Sequence, residues 1–183
     1  ASGIRIHVTF KPASDTQEIP FIVYNDIFSV GNVTTAVIID LGEGNAVNLA
    51  DLSAHNFTAA ANNTRLDGST VIFDGTRKIT RVYVNDDPEP LGYITPVPGS
   101  DDLVTDTPAS GRYIILEFEF WNANGPTSGA MASGGLQNSY SAILNYRINV
   151  DRPIKLTDGT TIAPKFTQAA VVNPALDKFV PDK

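Results

Sequence analysis

Six carboxylates, Asp86, Asp87, Glu89, Asp101, Asp102 and Asp106, fall within 21 positions of this sequence. Calcium takes six to eight oxygen ligands, and clustered acids with nearby backbone carbonyls are a set that would suit it. The spacing matches no EF-hand loop, and the same acids read equally well as a solvated loop that keeps the chain soluble. His7 and His55 are the only histidines and cysteine is absent. A zinc site needs several nitrogen or sulfur ligands, which two distant histidines do not supply. Composition leaves a Ser-His-Asp triad open, but without a G-x-S-x-G elbow no serine is marked as its nucleophile. The stretches Gly125-Pro-Thr-Ser-Gly and Ser133-Gly-Gly lack that spacing. The chain is therefore expected not to be an enzyme and to need no cofactor other than calcium at the acidic loop. Trp121, Tyr113 and Tyr83 would form a sugar-binding platform if they share an outward face. The competing reading buries them under the loop at 122–139 or against a neighbouring subunit.

The elements that must position these residues read as strands. Ile4, Ile6, Val8 and Phe10 alternate with Arg5, His7 and Thr9, and Ile114, Leu116, Phe118 and Phe120 alternate with Tyr113, Glu117 and Glu119. Side chains on a strand point to opposite faces in turn, so this period gives one dry face and one wet face. Further strands are expected at 19–24, 33–41, 57–61, 71–73, 77–84, 112–120 and 140–150, with a short pair at 154–156 and 161–162. Asp158-Gly159 marks a tight hairpin turn in the last pair. One helical turn is expected at 48–53, with Leu49 and Leu52 facing inward. The pattern predicts an all-β antiparallel sandwich of about seven to nine strands. Its core should include Val37, Ile39, Leu41, Val82, Val84, Ile114, Leu116, Phe118, Leu144, Tyr146 and Ile148. The strand at 33–41 is apolar on both faces, so the alternative is that it turns Ala36 and Ile38 inward instead of Val37, Ile39 and Leu41.

Bulk properties bound the function. A chain of 183 residues suits one domain and buries roughly 70% of its unfolded surface without metal or disulfide. The formal charge of −7 repels phosphate backbones and anionic lipid, so no nucleic acid is expected. No apolar run approaches the roughly 20 residues that span a bilayer, so no membrane insertion is expected. The chain starts Ala-Ser-Gly, which suits a mature product after signal removal or a trimmed chain. Asn32, Asn56 and Asn62 begin N-x-S/T sequons that chance explains in so Asn- and Thr-rich a chain.

The run Val33-Thr-Thr-Ala-Val-Ile-Ile-Asp-Leu-Gly, with the segment at 49–57 behind it, resembles the opening of the Ig-like N-terminal domain of bacterial extracellular esterases. Ile79-Thr-Arg-Val-Tyr-Val-Asn-Asp, Gly111-Arg-Tyr-Ile-Ile-Leu-Glu, Leu156-Thr-Asp-Gly-Thr-Thr-Ile-Ala-Pro and Val172-Asn-Pro-Ala-Leu-Asp-Lys-Phe follow in matching order. The resemblance implies an Ig-like sandwich that is non-catalytic and packs beside an α/β-hydrolase domain, with a part in oligomer contacts and active-site access. It divides the chain into an N-terminal arm or extra strand at 1–17, the sandwich at 18–163 and a C-terminal tail or linker at 164–183.

The expected function is a non-catalytic extracellular or cell-surface module. Its partners would be proteins, either copies of itself or a linked hydrolase domain. Two alternatives stand beside it. One is a self-assembling surface or filament subunit joined by donating its N-terminal strand, with Ile4, Ile6, Val8, Phe10 and Trp121 at the interface. The other is a carbohydrate-binding module. The arm suits an edge strand of its own sheet as well as an addition to a neighbour's sheet.

Overall fold

A computed structural model describes residues 16–92, 106–132 and 142–177. Ile4, Ile6, His7, Val8, Phe10, Asp101 and Asp102 lie outside the described residues. Among the described residues, the strands are β1 (Thr16–Phe28), β2 (Gly31–Asp40), β3 (Val47–Asn48), β4 (Phe57–Arg65), β5 (Val71–Arg77), β6 (Ile79–Asn85), β7 (Ser110–Gly111), β8 (Tyr113–Phe118), β9 (Trp121–Asn122), β10 (Gly125–Pro126), β11 (Ala142–Val150), β12 (Ile154–Lys155) and β13 (Thr161–Val172). Two single-turn helices, α1 (Leu49–Leu52) and α2 (Pro174–Asp177), complete the described elements.

The larger sheet has the order β12-β13-β1-β2-β8-β6, and the smaller has the order β11-β4-β5. Their facing sides form one core. The larger sheet contributes Phe21, Val23, Val37, Ile39, Val84, Ile114, Leu116 and Phe118, and the smaller contributes Ala59, Ala61, Leu144, Tyr146 and Ile148. All the expected core residues are in this cluster, with Val82 packed against it half-buried. Phe118 and Tyr146 stack across the gap with centroids 5.7 Å apart. Burying a large apolar side chain is worth about 1.5–3 kcal/mol, so this interior supplies most of the stabilisation.

The strand β2 is buried on both faces. Val37 and Ile39 enter the main core, while Ala36 and Ile38 join Tyr83 and Ile115 in a second cluster on the outer side of the larger sheet. A sheet covered on both sides needs strands without a polar row, which is why the alternation fails at 36–39.

Three local expectations change. The segment at 77–84 is not one strand. The chain leaves the smaller sheet after Arg77 and enters the larger one at Ile79, so Lys78 marks a crossing between layers. The boundary between 163 and 164 falls inside β13, and residues 164–172 form a sheet strand instead of a linker. β13 pairs in parallel with β1, from Thr16↔Ala163 to Tyr24↔Val172, so the sandwich is not wholly antiparallel. At the Asp158-Gly159 turn only Gly159 has positive φ, at 86°. Thr160 N–H donates to Asp158 Oδ1 at 2.8 Å, so the acid closes the turn while Gly159 supplies the left-handed step.

A side chain bridges part of one flank of the sandwich, between β11 and β13. Tyr146 donates its N–H to Gln168 Oε1 and Gln168 Nε2 donates to the Leu144 carbonyl, both at 2.7 Å. The amide of Gln168, on β13, therefore takes the place of a peptide group beside β11.

Candidate functional site

The outer side of the larger sheet carries the most distinctive chemistry. Alternation along β6 and β8 turns Tyr83, Ile115 and Glu117 to this side. Tyr83 is 1% exposed and Glu117 is 2% exposed. The Tyr83 hydroxyl donates to Glu117 Oε1 at 2.7 Å and accepts the Leu91 N–H at 2.9 Å. Burial pushes the Glu117 carboxyl above the usual carboxylate range, against the lowering effects of the Tyr83 hydrogen bond and the nearby Arg81 charge. Burial, and then the Glu117 charge, also raise the Tyr83 phenol. Arg81 lies over the Tyr83 ring, 4.3 Å from its centroid. The segment at 86–92 covers this group as a strap. Asn85 Nδ2 holds it by donating to the Glu89 carbonyl at 2.8 Å.

Beyond the strap the same sheet side stays partly open. A groove of about 280 Å³ is lined by Pro20, Ile22, Ile38, Asp40, Pro88 and Tyr113. Ile22, Tyr24 and Tyr113 are half-buried around the second cluster. At the rim Arg112 pairs with Asp40, Nε to Oδ1 at 2.7 Å and Nη2 to Oδ2 at 3.0 Å. The Arg112 hydrogen bond holds the Asp40 carboxyl below its ordinary range despite partial burial. This side of the sheet can grip an apolar partner ringed by polar groups, a composition common to protein contacts.

Of the expected calcium ligands, Asp86, Asp87, Glu89 and Asp106 are among the described residues and Asp101 and Asp102 are not. Asp86, Asp87 and Glu89 lie along the strap, where Glu89 N–H donates to the Asp87 carbonyl at 2.9 Å. Among the described residues no group of three or more acids or histidines is arranged to hold a metal ion. His55 sits between two carbonyls, with Nδ1 2.9 Å from the Asp51 oxygen and Nε2 2.9 Å from the Pro153 oxygen. It ties α1 to the start of β12. The three aromatics do not make one platform. Tyr83 is under the strap and Tyr113 stacks with Arg112 at the groove. Trp121 packs half-buried on a satellite cluster of Val33, Phe120 and Ala130.

Sequence reasoning missed Arg77. It is 4% exposed and donates through Nη1 to the Gly129 carbonyl at 2.9 Å and to the Tyr146 hydroxyl, and through Nη2 to the Thr34 carbonyl at 3.0 Å. Its guanidinium also lies 4.6 Å from the Phe118 ring centroid. Desolvation lowers its pKa, opposed by Tyr146. Its neighbours Asp74, Gly75, Thr76 and Lys78 are not apolar, so nothing in the sequence around it signalled burial. The alternation of Glu117 with Leu116 and Phe118 put it on the wet face. It does oppose Arg81 in register, but the strap shuts it from solvent.

The profile of the esterase Ig-like N-terminal domain family matches residues 22–163. The crystal structure of a thermostable esterase superposes with a TM-score of 0.53 at 20% sequence identity, covering 86% of this chain and 36% of that one. At that identity the likeness speaks for the fold. This chain spans about a third of that esterase's length. Comparison with curated proteins gave no match.

Proposed function

Because the chain belongs to the esterase Ig-like N-terminal domain family, we propose that it works outside the cell as a non-catalytic interaction domain, held against a hydrolase domain. The observation that carries this reading is the half-open apolar side of the larger sheet around Ile22, Tyr24 and Tyr113. An apolar surface of that kind is unfavourable in water and favours a partner that covers it. The Arg112–Asp40 pair at its rim would fix orientation. Access to a neighbouring active site could then be set by the strap at 86–92, which lies beside the groove.

The test looks for a hydrolase region in the same gene and joins this chain to it. Ile22→Asp and Tyr113→Asp should weaken contact between the two parts at least tenfold and leave the melting temperature of the isolated domain within a few degrees. Unchanged contact in both variants, or a gene with no hydrolase region, would sink this reading. Copies of the same chain are the second class of partner, favoured by an open strand edge on another flank.

A further inference from the structure

We propose that the flank between β11 and β13 is a strand-acceptor site, and that its occupant is the segment at residues 4–10 of a second copy. The inference rests on the self-association part of the reading above. β11 pairs with β4 along one edge only. On its other edge, Gln168 occupies the Tyr146 N–H and the Leu144 carbonyl. Alternate residues of an antiparallel strand turn both main-chain groups to the same side, so Ile148 and Val150 present theirs to this flank as Tyr146 does. The Ala142 N–H, on the same parity, also points away from β4 and donates to the Ala132 carbonyl at 3.2 Å. Among the described residues no strand pairs with β11 here. β13 is open on the facing side as well, since β12 pairs with it only at Thr161 and Ile162.

A groove of about 350 Å³ lies between the two edges, beyond Gln168, lined by Thr16, Ile148, Val150, Pro164, Lys165 and Phe166. An added strand would convert the three-stranded sheet to four strands. Alternate apolar side chains would then extend the core over Phe166 and Phe57, whose rings are 6.4 Å apart.

Two facts select the occupant. Fifteen residues precede Thr16 and carry the alternating row Ile4, Ile6, Val8 and Phe10, and Thr16 itself lines the groove. The second fact is direction. Thr16 is at the Val150 end, because β1 is parallel to β13 and β13 runs opposite to β11. An arm that turned back from Thr16 into its own groove would lie parallel to β11. An arm from another copy can enter antiparallel, as in both existing pairs of that sheet and in the more stable arrangement. Its outward residues Arg5, His7 and Thr9 would stand beside exposed Arg147 and Asn149.

The cysteine-free chain makes the test direct. His7→Cys or Thr9→Cys chains are mixed with Asn149→Cys chains and oxidised, and sedimentation of the parent chain is measured alongside. An interchain disulfide between the two kinds of chain is expected. Ile6→Asp with Val8→Asp should abolish association while keeping the β-sheet circular dichroism spectrum. Arg147→Glu should tighten association about two- to fivefold by replacing a like-charge neighbour. If a chain carrying both His7→Cys and Asn149→Cys closes a disulfide within one monomer, the second-copy assignment is wrong. If chains associate without cross-linking at 149 and without needing residues 6 and 8, the acceptor flank is wrong although self-association stands. A chain that stays monomeric at high concentration overturns both.

Discussion

Tyr83 and Glu117 form a buried pair on neighbouring strands, with the phenol hydrogen on the carboxylate at 2.7 Å and the Leu91 amide on the phenol oxygen. The pair joins the larger sheet to the strap that covers it. Because burial raises the Glu117 pKa in the fold, its protonated form is favoured there relative to the unfolded chain. That contribution to stability is complete below the ordinary glutamate pKa and is lost as pH rises through the folded value. Glu117→Gln keeps an acceptor for Tyr83 and removes the titration. The parent should therefore lose stability relative to Glu117→Gln as pH climbs from about 4 toward neutrality. Thermal unfolding of both proteins across that range checks it, and parallel profiles would contradict the assignment.

Arg77 should be the most costly polar residue to remove. Arg77→Met keeps the stem between Phe118 and Tyr146 but leaves the Gly129 and Thr34 carbonyls without their donor. Hydrogen bonds to charged groups contribute about 1.5–3 kcal/mol, and orphaned buried acceptors add to the loss, so a destabilisation of about 3 kcal/mol is expected. Urea unfolding should show a lower midpoint with an unchanged slope. A loss below about 0.5 kcal/mol would mean that the carbonyls find other donors.

Asn63 is the opposite case. It is fully buried, and both polar atoms of its amide lack a hydrogen-bond partner. Burying an unpaired amide costs about 1–3 kcal/mol by mutational measures, so Asn63→Leu should stabilise the fold by about 1 kcal/mol. Destabilisation by the same amount would point to a bound water satisfying the amide.

Gln168→Ala removes both hydrogen bonds to the β11 edge and should cost about 1–3 kcal/mol. Gln168→Glu should be no better, because a carboxylate accepts from Tyr146 but repels the Leu144 carbonyl. Hydrogen exchange at the Tyr146 amide should accelerate in both variants. Protection equal to the parent would show that another group shields this edge.

The strands and the core were legible because a row such as Ile114, Leu116 and Phe118 needs no tertiary information to be assigned to one face. The outer cluster was partly legible, through the two apolar faces at 36–39. Its buried Glu117 was not, because a lone acid in alternation looks the same whether solvent or the strap covers it. The same limit hid Tyr83, Arg77 and Gln168, whose partners are distant in sequence. β13 was missed because Pro164 and the Ala169-Ala170 step weaken its alternation. Its pairing is parallel and its partner β1 lies at the other end of the chain.

Ester hydrolysis by the purified chain tests the central claim, that this domain acts by contact and not by catalysis. At micromolar protein, turnover of short-chain p-nitrophenyl esters should equal that of buffer alone. Turnover above buffer that vanished on replacing one serine of this chain would contradict the account.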